Sequence, residues 1–333
     1  MDLTGMYRVV EYMPGQRMVL EKHEGYWGGR PVIQNVVHEK ISDAQARVVA
    51  ALSDRYHVVM NIPISSLSQF RDSSVADINV SEVANTETIY FNLNKKKFQD
   101  ERVRQALSWA LDRRELIALG CEGLGEPVTT WLGSNPAYSE IREVVYDTCD
   151  RGRAAELLDG AGWSLGNDGL RRKNGELLSI RLMTWGVDQA LGEAIQAQWR
   201  RVGVDAQVQY GDYCLVEAAR DEGTWDAFIE AWSTFGDVVA LMKGQYSTSG
   251  GGNYGGYDDV VTNDLFNRID HAGSMAERKE LLMELSLHVA ERCPVICLYP
   301  RPELTAVNKR LHGFVPHFRQ FENVVNANLR ITP

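Results

Sequence analysis

No stretch of this sequence holds the roughly 18–20 consecutive apolar residues that a membrane-spanning helix needs, so none is expected. The opening Met1-Asp2-Leu3-Thr4-Gly5 lacks the basic start, apolar middle and small-residue cleavage site of an export signal, so none is expected there. Cysteine is sparse: Cys121, Cys149, Cys214, Cys293 and Cys297 form an odd, scattered set, unlike a disulfide framework, and free buried thiols are expected. As strand positions four apart, Cys293 and Cys297 would stand about 13 Å from each other. That is too far for one tetrahedral zinc with ligands near 2.3 Å. The seven histidines show no HExxH spacing, and His312 and His317, five apart, read as structural. No Gly-x-Ser-x-Gly elbow appears, and the glycines at 250–252 are not followed by Gly-Lys-Ser/Thr, which excludes a P-loop. No enzyme, metal or cofactor is expected on this basis. Positive charge is also short: 35 Lys plus Arg against 45 Asp plus Glu give a net charge of −10, which would repel nucleic acid and anionic membranes.

What is present is an ordinary folded composition, 44% apolar and 24% charged over 333 residues, enough chain for about two domains. The first hundred residues read as strands with one helix. Residues 7–12 form a strand run, Pro14-Gly15 turns the chain back through 18–20, and 32–41 reads as a further strand. Asp43 can cap a helix with Ala46, Val49 and Ala50 on its apolar stripe. Residues 88–93 alternate and read as a strand. The middle has α/β rhythm. Asp100 caps 101–111, Asp112 with Glu115 opens a helix closed by Gly120, and Asp150 caps a helix ending at Ala161-Gly162-Trp163. A small hairpin bracketed by Asn167-Asp168-Gly169 and Lys173-Asn174-Gly175 leads into a strand at 178–184. A helix with Leu191, Ile195, Trp199 and Val202 on one face stops at Gly203, and the strand 204–210 follows. A helix at 213–220, a strand at 227–232, a glycine-rich loop at 247–256, helices at 259–272 and 276–292 and a strand at 295–299 complete the reading. Such alternation favours a mixed α/β sheet covered by helices.

Several segments, taken in order, resemble the solute-binding proteins of peptide, dipeptide and nickel ABC transporters (extracellular solute-binding protein family 5). Gly5 to Tyr12 and Gly25-Tyr26-Trp27-Gly28-Gly29-Arg30-Pro31 are similar to one family segment. Phe91-Asn92 with Phe98-Gln99-Asp100-Glu101-Arg102-Val103-Arg104-Gln105-Ala106 is similar to another. Leu157-Leu158 with Ala161-Gly162-Trp163, the 194–205 helix end, 226–232 and 294–302 extend the series over nearly the whole chain. The resemblance implies an α/β, periplasmic-binding-protein-like fold (type II, cluster C), with mixed sheets flanked by helices and two lobes, part of the first missing. Residues 1–95 and 305–333 would be the remainder of the first lobe, and 96–304 the second, ligand-binding lobe. The family's N-terminal region has no counterpart before this segment, which reads as a fragment.

The same resemblance implies a site. Ala231, Trp232, Ser233 and Thr234 match the stretch that lays main-chain hydrogen bonds along bound peptides, although Trp232 reads equally well as a core aromatic at a strand end. An aspartate that pairs with a ligand ammonium in peptide-binding members is replaced by Phe235. The nearest acid is Asp237, and the aromatic at 235 looks more like nickel-type members. Arg220 matches an arginine that meets a ligand carboxylate in some relatives, and Asn253 sits in a loop able to close on the ligand. The implied function is the substrate-binding component of an ABC importer, capturing a small peptide-like or nickel/metal-chelate ligand by lobe closure. Its partners would be that ligand and the ABC permease, with no nucleic acid. A monomer is expected, periplasmic or extracellular and membrane-associated in the full-length protein. The alternative, motivated by the thiols and the N-terminus, is a cytoplasmic solute-sensing effector domain of a transcription regulator resembling these receptors.

Overall fold

Aspartates and a serine set most helix starts, because a short side-chain oxygen can satisfy one of the orphan amides of a first turn. In the computed structural model, Asp43, Asp100, Asp112, Asp150, Asp259 and Ser274 each accept from an amide of the helix they open. The structure describes residues 4–142, 144–185, 189–233, 238–315 and 325–332, and only the backbone of 82–84, 136 and 233.

In chain order the elements begin with β1 (Tyr7–Met13), β2 (Arg17–Lys22), β3 (Asn35–Glu39), α1 (Ala44–Leu52), β4 (Val58–Val59) and β5 (Ala76–Phe91). Then come α2 (Lys96–Gln99), α3 (Glu101–Trp109), α4 (Arg113–Gly120), α5 (Arg151–Gly160), β6 (Ser164–Leu165), β7 (Arg171–Lys173), β8 (Glu176–Leu177) and β9 (Ser179–Trp185). The last are α6 (Gln189–Arg200), β10 (Asp205–Gly211), α7 (Tyr213–Asp221), β11 (Ala227–Ser233), α8 (Val238–Tyr246), α9 (Val260–Asp270), α10 (Met275–Arg292), β12 (Val295–Asn308), β13 (Leu311–His312) and β14 (Arg330–Ile331).

The chain divides into two compact units, 1–83 with 302–333, and 84–301. In the first, β1, β2 and β3 form an antiparallel meander whose first turn is made by Gly15 at φ +70°. β4 pairs with the end of β12 through Val59 and Ala306, and β13 pairs with β14. In α1 the buried face is Val48 and Ala51, while Val49 is 68% exposed. The expected stripe of Ala46, Val49 and Ala50 is therefore one position out of phase, an ambiguity created by the adjacent valines.

The larger unit is built on strands in the order β10-β9-β11-β5-β12. β10 and β9 are parallel, and β11 is antiparallel to β5 from Ala227↔Phe91 to Ser233↔Asn85. Alternation sends Phe91 to one face, where its ring lies 4.9 Å from Phe98 and 6.5 Å from Trp199. α6 approaches β9 so closely at Gly192 that a Cβ there would lie 2.6 Å from Thr184 Cγ2. The opposite face carries Tyr90, Met183 and Phe228 in a core completed by Val216 of α7, Met242 of α8, Leu265 of α9 and Leu285 of α10.

Three buried arginines fasten this unit. The Arg104 guanidinium donates to the carbonyls of Phe98, Arg292 (2.7 Å) and Cys293 (2.9 Å). Arg113 donates to the Cys297 and Tyr146 carbonyls at 2.8 and 3.1 Å, and Arg171 to those of Val202 and Trp163 at 2.7 and 2.6 Å. Each holds carbonyls of segments distant in sequence, where an orphaned buried acceptor would be costly.

Other expectations shift. β5 and β12 run to 16 and 14 residues, well beyond the expected 88–93 and 295–299, because their polar continuations are held by strand partners that are remote in sequence. α8 and the 3₁₀ turns at Ile64–Phe70, Leu132–Ser134 and Pro136–Ile141 carry weak sequence signals. Cys293 is not in a strand; it closes α10 in the left-handed region at φ 51°. None of the five cysteines forms a disulfide, but Cys214 is exposed and Cys149 half-buried, so the expectation of buried thiols holds for three of the five. Burial pushes the Cys293 thiol up to about 12.

Replacing Arg104 by Leu is expected to cost about 3 kcal/mol or more in urea unfolding, by orphaning buried carbonyls, and Arg104→Lys to recover only part, because an ammonium cannot reproduce the fork. A disulfide reagent such as DTNB should label Cys214 at once, Cys149 more slowly, and Cys121, Cys293 and Cys297 only after denaturation; rapid labelling of more than two thiols in the native protein would contradict this burial pattern.

Candidate ligand-binding site

The parallel strands of the larger unit end at Trp185, Gly211 and Ser233, and in open α/β sheets ligands collect beyond such carboxyl ends. Among the described residues, β11 pairs with β9 only at Ala227↔Leu182 and Phe228↔Met183. From Ile229 to Ser233 its described pairing is with β5 alone.

Phe228, Glu230 and Trp232 share one face of β11, on the side where β9 presents Met183 and Trp185. α7 lies against that face. Tyr213 and Arg220, two helical turns apart, both reach Glu230: the Tyr213 hydroxyl donates to it at 3.1 Å, and Arg220 pairs with it at 3.3 Å. Arg220 also donates to the Tyr213 oxygen at 2.9 Å. Its guanidinium carbon stands 4.2 Å from the Tyr254 ring centroid, 5.3 Å from that of Tyr213 and 5.5 Å from that of Phe228, a cation held by aromatic faces. Both side chains of the pair are 8% exposed. Burial pushes the Glu230 carboxyl above its ordinary range, against the opposing pull of Arg220, the Tyr213 hydroxyl and the Trp232 indole.

Trp185 packs on Tyr213 with ring centroids 4.8 Å apart, and half-buried Trp232 packs on the same core. The Trp232 indole N–H is directed at Glu230, and the Trp185 indole N–H is buried without a partner among the described residues. Two large, partly buried aromatics thus flank the strand ends, supported from behind by a paired and caged Arg220.

The residues singled out from sequence fall into four groups. Trp232 and Arg220 come into one cluster. Ala231 and Ser233 lie in β11, opposite Glu87 and Asn85, and Ser233 is described by its backbone alone. Thr234, Phe235 and Asp237 lie outside the described residues. Asn253 works inside its own loop: its amide donates to the carbonyls of Ser247 (3.0 Å) and Tyr257 (2.8 Å), and its oxygen accepts from the Tyr257 amide at 2.8 Å. That bracing sets the neighbouring Tyr254 over Arg220. Glu230, Tyr213 and Trp185 were not singled out. The two-residue spacing of Glu230 and Trp232 and the seven-residue spacing of Tyr213 and Arg220 are the sequence signals that could have found the first two. Among the described residues no group of three or more His, Cys, Asp or Glu is placed to hold a metal, and no helix is long and apolar enough to cross a membrane.

The family model described as bacterial extracellular solute-binding proteins, family 5 Middle, matches residues 1–253. The chain belongs to this family. It is a family of binding proteins, not of enzymes, and the ordered motifs pointed to it. The chain is 27% identical over 330 residues to the oligopeptide-binding protein AppA of Bacillus subtilis, covering 94% of this chain and 59% of that protein. It is also 27% identical over 250 residues to the nickel-binding periplasmic protein of Escherichia coli, covering 72% of this chain and 47% of that one. The chain thus spans about half to three-fifths of these relatives. Among solved structures, NikA from Brucella suis in complex with Fe(III)-EDTA superposes with a TM-score of 0.86 at 21% identity, covering 99% of this chain and 68% of that one. AppA from B. subtilis in complex with a nonapeptide gives 0.79 at 22% identity, covering 99% and 66%. At these identities the likeness shows a shared fold, the periplasmic-binding-protein-like α/β architecture.

The pair under the site is open to test. Glu230→Gln should cost about 3–5 kcal/mol by leaving the buried guanidinium without a counter-charge, while Arg220→Met combined with Glu230→Leu should recover most of it. A urea double-mutant cycle measures the coupling, and strict additivity would sink the pairing.

Proposed function

We propose that this chain is the ligand-binding part of the substrate-binding component of an ABC importer. In this reading a small acceptor-rich ligand, a metal chelate in preference to a free peptide, rests against the open ends of β9 and β11 and is captured by lobe closure. The observation that carries it is that, among the described residues, β11 stops pairing with β9 after Phe228, beside the aromatic pair Trp185 and Trp232 at the carboxyl ends of the sheet. An open edge there suits an extended ligand, whose main chain pairs alike whatever its side chains. One feature favours a chelate: Phe235 stands in the sequence where peptide-binding members keep an acid for the ligand ammonium. Arg220 takes a supporting role here, since its guanidinium already serves Glu230 and Tyr213. Its partner in transport is the permease of such an importer, and its place is outside the cytoplasmic membrane. The five cysteines, none of them in a disulfide, favour the rival, a cytoplasmic effector domain, but they bring no site with them.

Calorimetric titration of the natural gene product with nickel–histidine and nickel-free histidine, and with di- to nonapeptides, tests the reading. The expected outcome is saturable binding of the chelate, weaker or absent binding of peptides, and at least a tenfold loss of affinity in Trp232→Ala with the fold intact by circular dichroism, in line with the usual cost of truncating an aromatic anchor. Binding of peptides alone would overturn the chelate preference, and no binding by either class would sink the site.

A further inference from the structure

One buried carboxylate stands at the centre of the aromatic cluster. Glu230 Oε1 accepts from the Tyr213 hydroxyl at 3.1 Å and Oε2 from the Arg220 guanidinium at 3.3 Å. The Trp232 indole N–H is directed at the same carboxylate from two residues further along the same face of β11. Tyr213 in turn carries Trp185, with ring centroids 4.8 Å apart. Both tryptophans at the ends of β9 and β11 are thus connected to this one side chain, Trp232 directly and Trp185 through the phenol.

The negative charge is what keeps the three donors converged. A hydrogen bond to an ionised acceptor is roughly twice as strong as a neutral one. Because both oxygens are already engaged as acceptors, a proton on either one sets donor against donor at Tyr213 or Arg220. The other ionisable groups that face Glu230 are Arg220, Tyr213 and Glu217 of α7 and Tyr90 of β5, with Tyr254 lying across the guanidinium. Burial pushes the Tyr90 and Tyr213 phenols above their ordinary values, so both keep their protons where carboxylates titrate. Glu230 is therefore the group of this cluster, placed among all three donors, whose charge changes in mild acid.

We propose that Glu230 is the positioning residue of the ligand site: ionised, it orients the Trp232 indole directly and that of Trp185 through Tyr213, and protonated it lets both go, so that ligand affinity follows its charge. The link to affinity rests on the proposed function, whereas the coupling of the indoles to Glu230 stands apart from it.

In the ligand-free full chain, the indole ¹⁵N–¹H resonances of Trp232 and Trp185, assigned through Trp232→Phe and Trp185→Phe, are followed by NMR from neutral to acid pH. Both are expected to move with one midpoint, above that of an ordinary glutamate because burial raises it, and to hold still in Glu230→Gln. Resonances that do not move, or that move equally in Glu230→Gln, overturn the positioning role. Calorimetric titration with nickel–histidine then compares wild type and Glu230→Gln at each pH, so that the chelate's own protonation cancels in the ratio. The wild type is expected to bind about tenfold more tightly at neutral pH, the size of one charge-assisted hydrogen bond, with the ratio falling toward one in acid. A ratio independent of pH is what a merely structural role would give, and it overturns the proposal. Should Glu230→Gln fail to fold, the wild-type NMR titration decides the positioning by itself. Moving indoles without chelate binding at any pH uphold the coupling to Glu230 and sink the ligand reading instead.

Discussion

Burying a guanidinium is tolerable only if its donors are met, and in this protein the larger unit is assembled around that constraint. Arg104, Arg113 and Arg171 are buried and spend their forks chiefly on main-chain carbonyls. A carbonyl cannot be moved without moving the backbone, so each arginine ties its helix or strand to a segment far away in the chain. Arg104 links α3 to the end of α10, and Arg113 links α4 to β12. The Asp100 to Ala106 motif acquires a physical meaning residue by residue: Asp100 caps, Arg102 returns to Asp100 and holds the Gly160 carbonyl, Val103 and Ala106 fill the core, and Arg104 clamps.

The helix layer fixed in this way holds the sheet whose strand ends make the proposed site. There one cation is treated differently. Arg220 meets a carboxylate and three aromatic faces, and the pair costs desolvation that only good geometry repays. The return is position: Tyr213 holds Trp185, Glu230 shares its face with Trp232, and the braced Asn253 loop seats Tyr254 over the cation. The proposed binding surface, on β9 and β11, and its buried support, on β11 and α7, are neighbours.

Much of this could be read in advance because it is local. Caps at Asp43, Asp100, Asp112, Asp150 and Asp259 depend on a side chain and an amide two or three residues on, and amphipathic spacing in α6 places Leu191, Ile195 and Trp199 inward. Where adjacent residues were alike, phase was lost, as at Val48 and Val49 in α1. Where polar strands were held by remote partners, length was lost, as in β5 and β12. Arg220 was legible as a residue of interest, but its partner was not, since Glu230 lies on another element and only packing brings the two to 3.3 Å.

The amino-acid order alone determined the family, the α/β alternation and most helix starts, because capping, periodicity and motif order act over a few residues at a time. Tertiary structure alone decided which carbonyls the buried arginines hold, where β11 stops pairing with β9 among the described residues, and that Asn253 braces its own loop. Those depend on distances between segments remote in sequence, which no local propensity encodes.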